Sequence, residues 1–293
     1  MATVTAPSKD VMGRIEDARP LDPAVKAVRT VINKVLGPQA VRDVLHGVWF
    51  GHPLHPVLTD VPIGAWTSAA LLDLLPGTGP AAATLVATGC ATSLPTALTG
   101  WADWSQLHPQ QQRVGLVHAV ANGVGIALFS ASLMARLQGR TTRGKALGFI
   151  GLGTVMAGGY LGGHLVFRQA SSVNHVSDLV DLFPSGWQDL GSVSELPEGA
   201  PVKRTVDGIG LLVVRRGQHV DVLADKCSHL SGPLSEGEFT VREGQGCIVC
   251  PWHGSTFRLS DGGVVHGPAT SPQHRFTTRV EGGRLQVRLS DDG

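Results

Sequence analysis

Hydrophobic positions along this chain fall into two regimes, and the change comes near residue 170. Before it, four long apolar stretches run over residues 56–75, 80–100, 114–135 and 146–167. Each has about the twenty residues that carry an α-helix across roughly 30 Å of hydrocarbon. The last three contain no Asp, Glu, Lys or Arg. The first carries only Asp60 and Asp73, near its two ends, where water is expected to reach them. A soluble bundle would show polar stripes, and these stretches show none. Trp49, Phe50, Trp101 and Trp104 sit at stretch ends, as an aromatic belt would. After residue 170, short alternating runs recur between turn signals, at 210–215, 219–224, 247–249, 276–280 and 285–289. That spacing predicts small antiparallel sheets. The pattern predicts an α+β multidomain chain, with an N-terminal four-helix transmembrane bundle followed by an all-β domain.

The boundaries follow from the same pattern. Residues 1–50 form an N-terminal segment, 51–170 the transmembrane domain, 171–186 a polar linker and 187–293 the β domain. Within the first segment, residues 21–37 read as an amphipathic helix with Asp22 as cap and Pro23 at its first position. It is expected either at the membrane surface or against the β domain. Gly158/Gly162 and Gly159/Gly163 are small-xxx-small pairs that let helices approach closely or leave room for a flat cofactor. Pro95 predicts a kink in the second span.

Charged residues make up 16% of the chain and the formal net charge is +1, which gives no basis for nucleic-acid binding. Lysines and arginines divide between the two sides. Arg136, Arg140, Arg143 and Lys145 fall in the loop after the third span, and Arg14, Arg19, Lys26, Arg29 and Lys34 precede the first. The N-terminal segment has no apolar run of the secretory kind.

The chemistry is concentrated in two short motifs, Cys227-Ser228-His229 and Cys250-Pro251-Trp252-His253. Two thiolates and two imidazoles could bind zinc, but zinc motifs pair Cys with Cys and His with His. Here each pair mixes the two. That suits a [2Fe–2S] cluster with both cysteines on one iron and both histidines on the other. Gly232, Pro233, Pro251 and Gly254 allow tight loops whose amides point at sulfur. Cys247 reads as a buried strand residue and Cys90 as helix packing. No structural disulfide is expected.

These residues and their flanks resemble a Rieske domain over about residues 187–293. The resemblance implies one-electron transfer, with His229 and His253 as the exposed ligands and His266-Gly267-Pro268-Ala269 as the proline loop covering the cluster. It also implies tuning by neighbours. Rieske proteins of cytochrome bc complexes carry a disulfide between the two loops, and the matching positions here are Gly232 and Trp252. Ser255 matches a hydroxyl that donates to a cluster sulfur, while Phe257 stands where those proteins have Tyr. With one donor kept and one lost, a middle value in the Rieske range of roughly −150 to +300 mV is expected.

The membrane half carries histidines of its own. With four spans, every histidine outside the β domain falls near one face. His118 and His164 lie at membrane depth, where a polar group is expensive unless it has a role. They could ligate a b-type haem. His52, His55, Asp60, His118 and His164 could instead form a second metal site or a quinone site, or the histidines could serve packing alone. Gly51-His-Pro-Leu-His-Pro56, Thr59-Asp-Val-Pro-Ile-Gly64 and Gly158-Gly-Tyr-Leu-Gly-Gly-His-Leu-Val166 resemble a bacterial four-helix membrane family of unknown function, over about residues 45–175. The expectation is a multi-pass protein of a bacterial plasma membrane, surrounded by lipid, with its Rieske domain in the cytoplasm. It passes electrons between quinone or haem in the membrane half and a partner redox protein, alone, as an oligomer or within a larger respiratory-type complex. The alternative is a tethered ferredoxin or redox sensor whose membrane half is only an anchor.

Overall fold

The computed structural model describes residues 11–290; residues 1–10 of the expected N-terminal segment and 291–293 of the expected β domain lie outside them. The chain divides into two compact units, residues 11–37 with 54–171, and residues 38–53 with 172–290.

The first unit is helical. Two short helices, α1 (Val11–Glu16) and α2 (Asp22–Val35), belong to it. The segment between the units' boundaries carries α3 (Gln39–His46), which belongs to the second unit. Four long helices follow: α4 (Leu54–Asp73), α5 (Gly79–Trp104), α6 (Pro109–Leu137) and α7 (Thr141–Phe167). The bundle is built mainly from the pairs α4–α5 and α6–α7. Its interior is small and aromatic: Trp66 stacks on Phe129 at 4.3 Å between ring centroids, among Ala69, Ala82, Val86 and Val155. Glycines make that possible. A Cβ on Gly89 would fall 2.3 Å from Trp66 Nε1, and one on Gly115 would fall 2.4 Å from Trp104 Cδ1.

This unit has its apolar surface outside. Leu71, Leu94, Leu98, Val120, Phe149, Ile150, Met156 and Phe167 are exposed, while Ser93, Thr96, Thr99, Gln112, Arg113, Ser132 and His164 are buried. In water that exterior would be a large unfavourable patch; in lipid it is what the solvent requires. The threonines of α5 satisfy themselves, with Thr84, Thr88, Thr92 and Thr96 each donating to the carbonyl four residues back.

Three helices, α5, α6 and α7, are long and apolar enough to cross a membrane. The expected fourth, α4, is twenty residues long but falls short in apolar character, because it contains His55, Asp60, Asp73 and two further prolines, Pro56 and Pro62. Three more expectations are corrected. Asp73 is not in water: its carboxylate forms a two-point pair with Arg136, and their side chains are only 2% and 5% exposed. Lys145 Nζ also donates to the Asp73 carbonyl, so α4, α6 and α7 are tied at one end. Trp104 is core rather than belt, its indole N–H on the Gln112 carbonyl at 2.9 Å. Asp22 makes no cap bond; its carboxylate takes Arg113 Nε and Nη2 at 2.7 and 3.0 Å, which ties α2 to α6. Helix α5 runs through Pro95 without a break.

The second unit is a small β structure. One turn of helix, α8 (Leu179–Leu182), precedes β1 (Gln188–Ser192), β2 (Pro201–Val206), β3 (Ile209–Arg216), β4 (His219–Ala224) and β5 (Glu238–Arg242). Then come β6 (Gln245–Val249), β7 (Thr256–Arg258), β8 (Val264–His266), β9 (Phe276–Glu281) and β10 (Arg284–Leu289). All pair antiparallel, in sheets ordered β1-β10-β9, β2-β3-β4 and β5-β6-β7-β8. Strand β3 is buried on both faces, so Leu211 and Val213 point into one core with Phe276 and Val287, and Leu212 and Val214 into another with Ile248 and Phe257. The expected linker is folded here too: Val176, Leu179 and Phe183 are buried, and Phe183 lies 4.7 Å from Phe276.

Candidate metal centre

Two loops rise from the second core, one between β4 and β5 and one between β6 and β7. Their backbones follow one plan. Cys227 N–H donates to the Gly232 carbonyl at 2.8 Å, and Cys250 N–H to the Ser255 carbonyl at 2.8 Å, each five residues on. Ser231 N–H returns to the Cys227 carbonyl at 2.9 Å, and Gly254 N–H to the Cys250 carbonyl at 3.1 Å. The returning residue has positive φ in both, +64° at Ser231 and +76° at Gly254. Two matched turns therefore present one cysteine each from a rigid base.

Both sulfurs are buried and hydrogen-bonded to each other. That bond pushes the Cys227 thiol up and holds the Cys250 thiol down. Backbone N–H groups of His229 and Leu230 donate to the Cys227 sulfur, and those of Trp252 and His253 to the Cys250 sulfur. Four amides aimed at two sulfurs favour thiolates, which a metal rather than a proton would satisfy. On the outer side, the His229 and His253 rings stand 5.1 Å apart and perpendicular, both half-buried. Among the described residues, no three His, Cys, Asp or Glu side chains are grouped to hold one ion. The two sulfurs meet each other and the two imidazole rings face each other.

The surroundings are close-fitting. A Cβ on Gly232 would sit 2.8 Å from Cys250 Sγ and 3.2 Å from Trp252 Cγ. Gly232 and Trp252 are thus adjacent, and all four cysteines are free thiols. Ser255 is fully buried and its Oγ accepts the Ala269 amide at 3.0 Å, which leaves the hydroxyl proton for another acceptor. Phe257 is buried in the core beneath the cysteines. Cys247 lies on β6, buried, its thiol donating to the Gln245 carbonyl.

Some contributors were not legible in the sequence. Asp225, buried, accepts Ser235 N–H at 2.7 Å and pairs with Lys203 at 3.1 Å, so it clips both ends of the first loop. Its place two residues before Cys227 was the only available hint. Asp43, on α3, binds the loop at 266–267. No local pattern marks a contact across more than two hundred residues.

In the membrane unit the histidines take separate partners. His164 Nε2 meets Glu16 Oε1 at 2.6 Å. His118 Nδ1 lies on the Gly158 carbonyl at 2.8 Å, and His55 Nδ1 on the Thr96 carbonyl at 2.9 Å. The His55 and His118 rings are 6.4 Å apart. Asp60 and His52 are exposed. The Gly158/Gly162 edge seats the Asn122 and His118 side chains, whereas Gly159 meets nothing.

Paired Cys and His loops on small antiparallel sheets define an iron–sulfur electron-transfer domain. Residues 186–280 form a Rieske [2Fe–2S] domain, which implies a [2Fe–2S] cluster, and residues 51–175 match the predicted membrane protein family DUF2231. The anthranilate 1,2-dioxygenase ferredoxin subunit of Burkholderia cepacia is 29% identical over 103 residues, covering 35% of this chain and 92% of that protein. Human apoptosis-inducing factor 3 is 31% identical over 80 residues, covering 27% of this chain and 13% of its own length. Among solved structures, the ferredoxin of carbazole 1,9a-dioxygenase from Nocardioides aromaticivorans is 27% identical, with 36% of this chain and 100% of that one covered and a TM-score of 0.34.

Proposed function

We propose that this chain is a membrane-anchored Rieske electron carrier, with Cys227 and Cys250 holding one iron and His229 and His253 the other. The observation that carries the reading is the pairing of two cysteine sulfurs from two matched loops, with four amides aimed at them and the two histidine rings facing each other 5.1 Å apart. When bound, the cluster supplies a one-electron couple. The chain's own residues do the rest. The buried cysteines hold the inner side in low dielectric, and the amides offset thiolate charge. The half-buried histidine edge, flanked by exposed Trp252, is the face a redox partner would meet. Relatives named as ferredoxin components of dioxygenase systems support a protein partner of the oxidoreductase class.

The apolar exterior of α5, α6 and α7 supports a lipid anchor, with α4 as a fourth span whose Asp73 is neutralised by Arg136. The basic residues before α4 favour the cytoplasmic side. An alkaline phosphatase fused at the C-terminus is expected to be inactive there; an active fusion would move the cluster to the other side.

A second reading rests on His55 and His118. Each turns Nδ1 to a backbone carbonyl, and His118 Nε2 also lies 3.3 Å from the Asn122 amide nitrogen, so a ligand or proton carrier would take Nε2 of His55 directly and that of His118 by displacing Asn122. Haem at this pair would give an α-band in the reduced visible spectrum, abolished in His118→Ala; quinone would leave none and require extraction to detect. The first reading is tested by iron and sulfide analysis of detergent-extracted protein. About two irons per chain are expected, falling to background in Cys227→Ser and His253→Ala; full iron in both variants would overturn the ligand assignment.

A further inference from the structure

The loop that covers the centre is held from outside the conventional limits of the β domain. Helix α3 lies far upstream in the sequence, yet it belongs to the same compact unit. Its Asp43 carboxylate accepts two bonds from consecutive residues of the loop, the Gly267 N–H at 2.8 Å and His266 Nδ1–H at 2.9 Å. Gln39 Nε2, one turn before it, donates to the same carboxylate at 2.9 Å. An ionised carboxylate only accepts, so three donors fix its orientation. Apolar contact reinforces the grip. His46 is 2% exposed and Val48 follows it, and a Cβ on Gly267 would fall 3.0 Å from Val48 Cγ2 and 3.3 Å from His46 Cδ2. A side chain there would press on both residues.

Two residues past Gly267, the same loop offers Ala269 N–H to Ser255 Oγ at 3.0 Å. Ser255 is buried and lies between Gly254 and Thr256 at the end of the second cysteine loop. The amide occupies an acceptor position on the hydroxyl and so leaves its proton for another acceptor.

We infer that Asp43 is a positioning residue for the iron–sulfur centre: by clamping residues 266–267 it sets Ala269, which orients the Ser255 hydroxyl as a donor and so raises the reduction potential. This rests on the Rieske reading proposed above. Hydrogen bonds toward cluster sulfur raise potential. Removing a nearby negative charge also raises it, by destabilising the oxidised state relative to the reduced one. A fall in potential on deleting Asp43 therefore separates positioning from charge.

The test is an EPR-monitored redox titration of the full chain in detergent, comparing wild type with Asp43→Ala, Asp43→Asn, Ser255→Ala and the Asp43→Ala/Ser255→Ala double variant. The expected results are a downward shift in Asp43→Ala, no larger than that of Ser255→Ala, and no further fall in the double variant. Asp43→Asn keeps an oxygen for the Gly267 amide and is expected to stay at or above wild type. An unchanged or raised potential in Asp43→Ala, or a second full shift in the double variant, would overturn the assignment. Should Asp43→Ala fail to load iron, Asp43→Leu, which also lacks an acceptor but keeps the side-chain volume, carries the same comparison with the same two outcomes. Absence of any cluster signal in wild type would instead remove the Rieske reading itself.

Discussion

At the scale of single residues, the two loops show how much depends on steric fit. Gly232 faces Cys250 Sγ and the Trp252 ring so closely that one methyl group cannot enter without moving a cysteine. Gly232→Ala is therefore expected to lose most of its bound iron while keeping its β-sheet circular dichroism; iron content equal to wild type would contradict the close fit. Cys247 and Cys250 sit on the same short stretch but do different work. Cys247 is a core thiol whose sulfur faces the Gln245 carbonyl, so Cys247→Ser is expected to keep full iron at a cost of about 1–3 kcal/mol in stability, whereas Cys250→Ser loses the iron. Metal analysis of both variants checks this. The cysteines and histidines were legible in the sequence because their chemistry is local: ligand and turn lie within a few residues. Asp43 and Asp225 were not, because what each does depends on where a distant loop returns.

At the scale of elements, pairs of helices and strands are joined by charges that the sequence could not match. Asp73 was expected in water and is instead buried against Arg136, with Ser132 and Lys145 completing the end of the bundle. Arg136→Ala leaves an uncompensated buried carboxylate, which costs on the order of 3–5 kcal/mol. The expected readout is a marked fall in thermal unfolding temperature in detergent, largely restored in Asp73→Ala/Arg136→Ala. An unchanged temperature for the single variant would show that water reaches Asp73 after all. In the β unit, Arg284 bonds both carboxylate oxygens of Asp189 through Nε at 3.0 and 3.1 Å and pins β1 to β10. The pair holds Asp189 below its ordinary value of 3.8. Because the folded value is the lower one, the contribution is complete above about 3.8 and is lost as the pH falls through the folded value. Asp189→Asn is therefore expected to lower the unfolding temperature at pH 7 and to make little difference near pH 2. The gap should narrow in high salt, since both groups are exposed.

At the scale of the whole molecule, the division into a membrane half and a β half was visible in the hydrophobic pattern, because lipid and water impose different periodicities on a chain. The number of spans was less so. Helix α4 has the length of a span and the composition of something more polar, and only its pairing with α6 and α7 shows how Asp73 is accommodated. The compact β unit also draws in chain that precedes the expected β domain. The segment at 172–186 is polar in sequence but sends Val176, Leu179 and Phe183 inward, and residues 38–53 add a helix from far upstream. The central claim, that this is a membrane-held Rieske electron carrier, is tested most directly by EPR of the full chain extracted from membranes and reduced chemically, with iron counted on the same sample. The account predicts a Rieske-type signal integrating to about one spin for every two irons in each chain. A protein that carries zinc in place of iron and stays EPR-silent on reduction would contradict it.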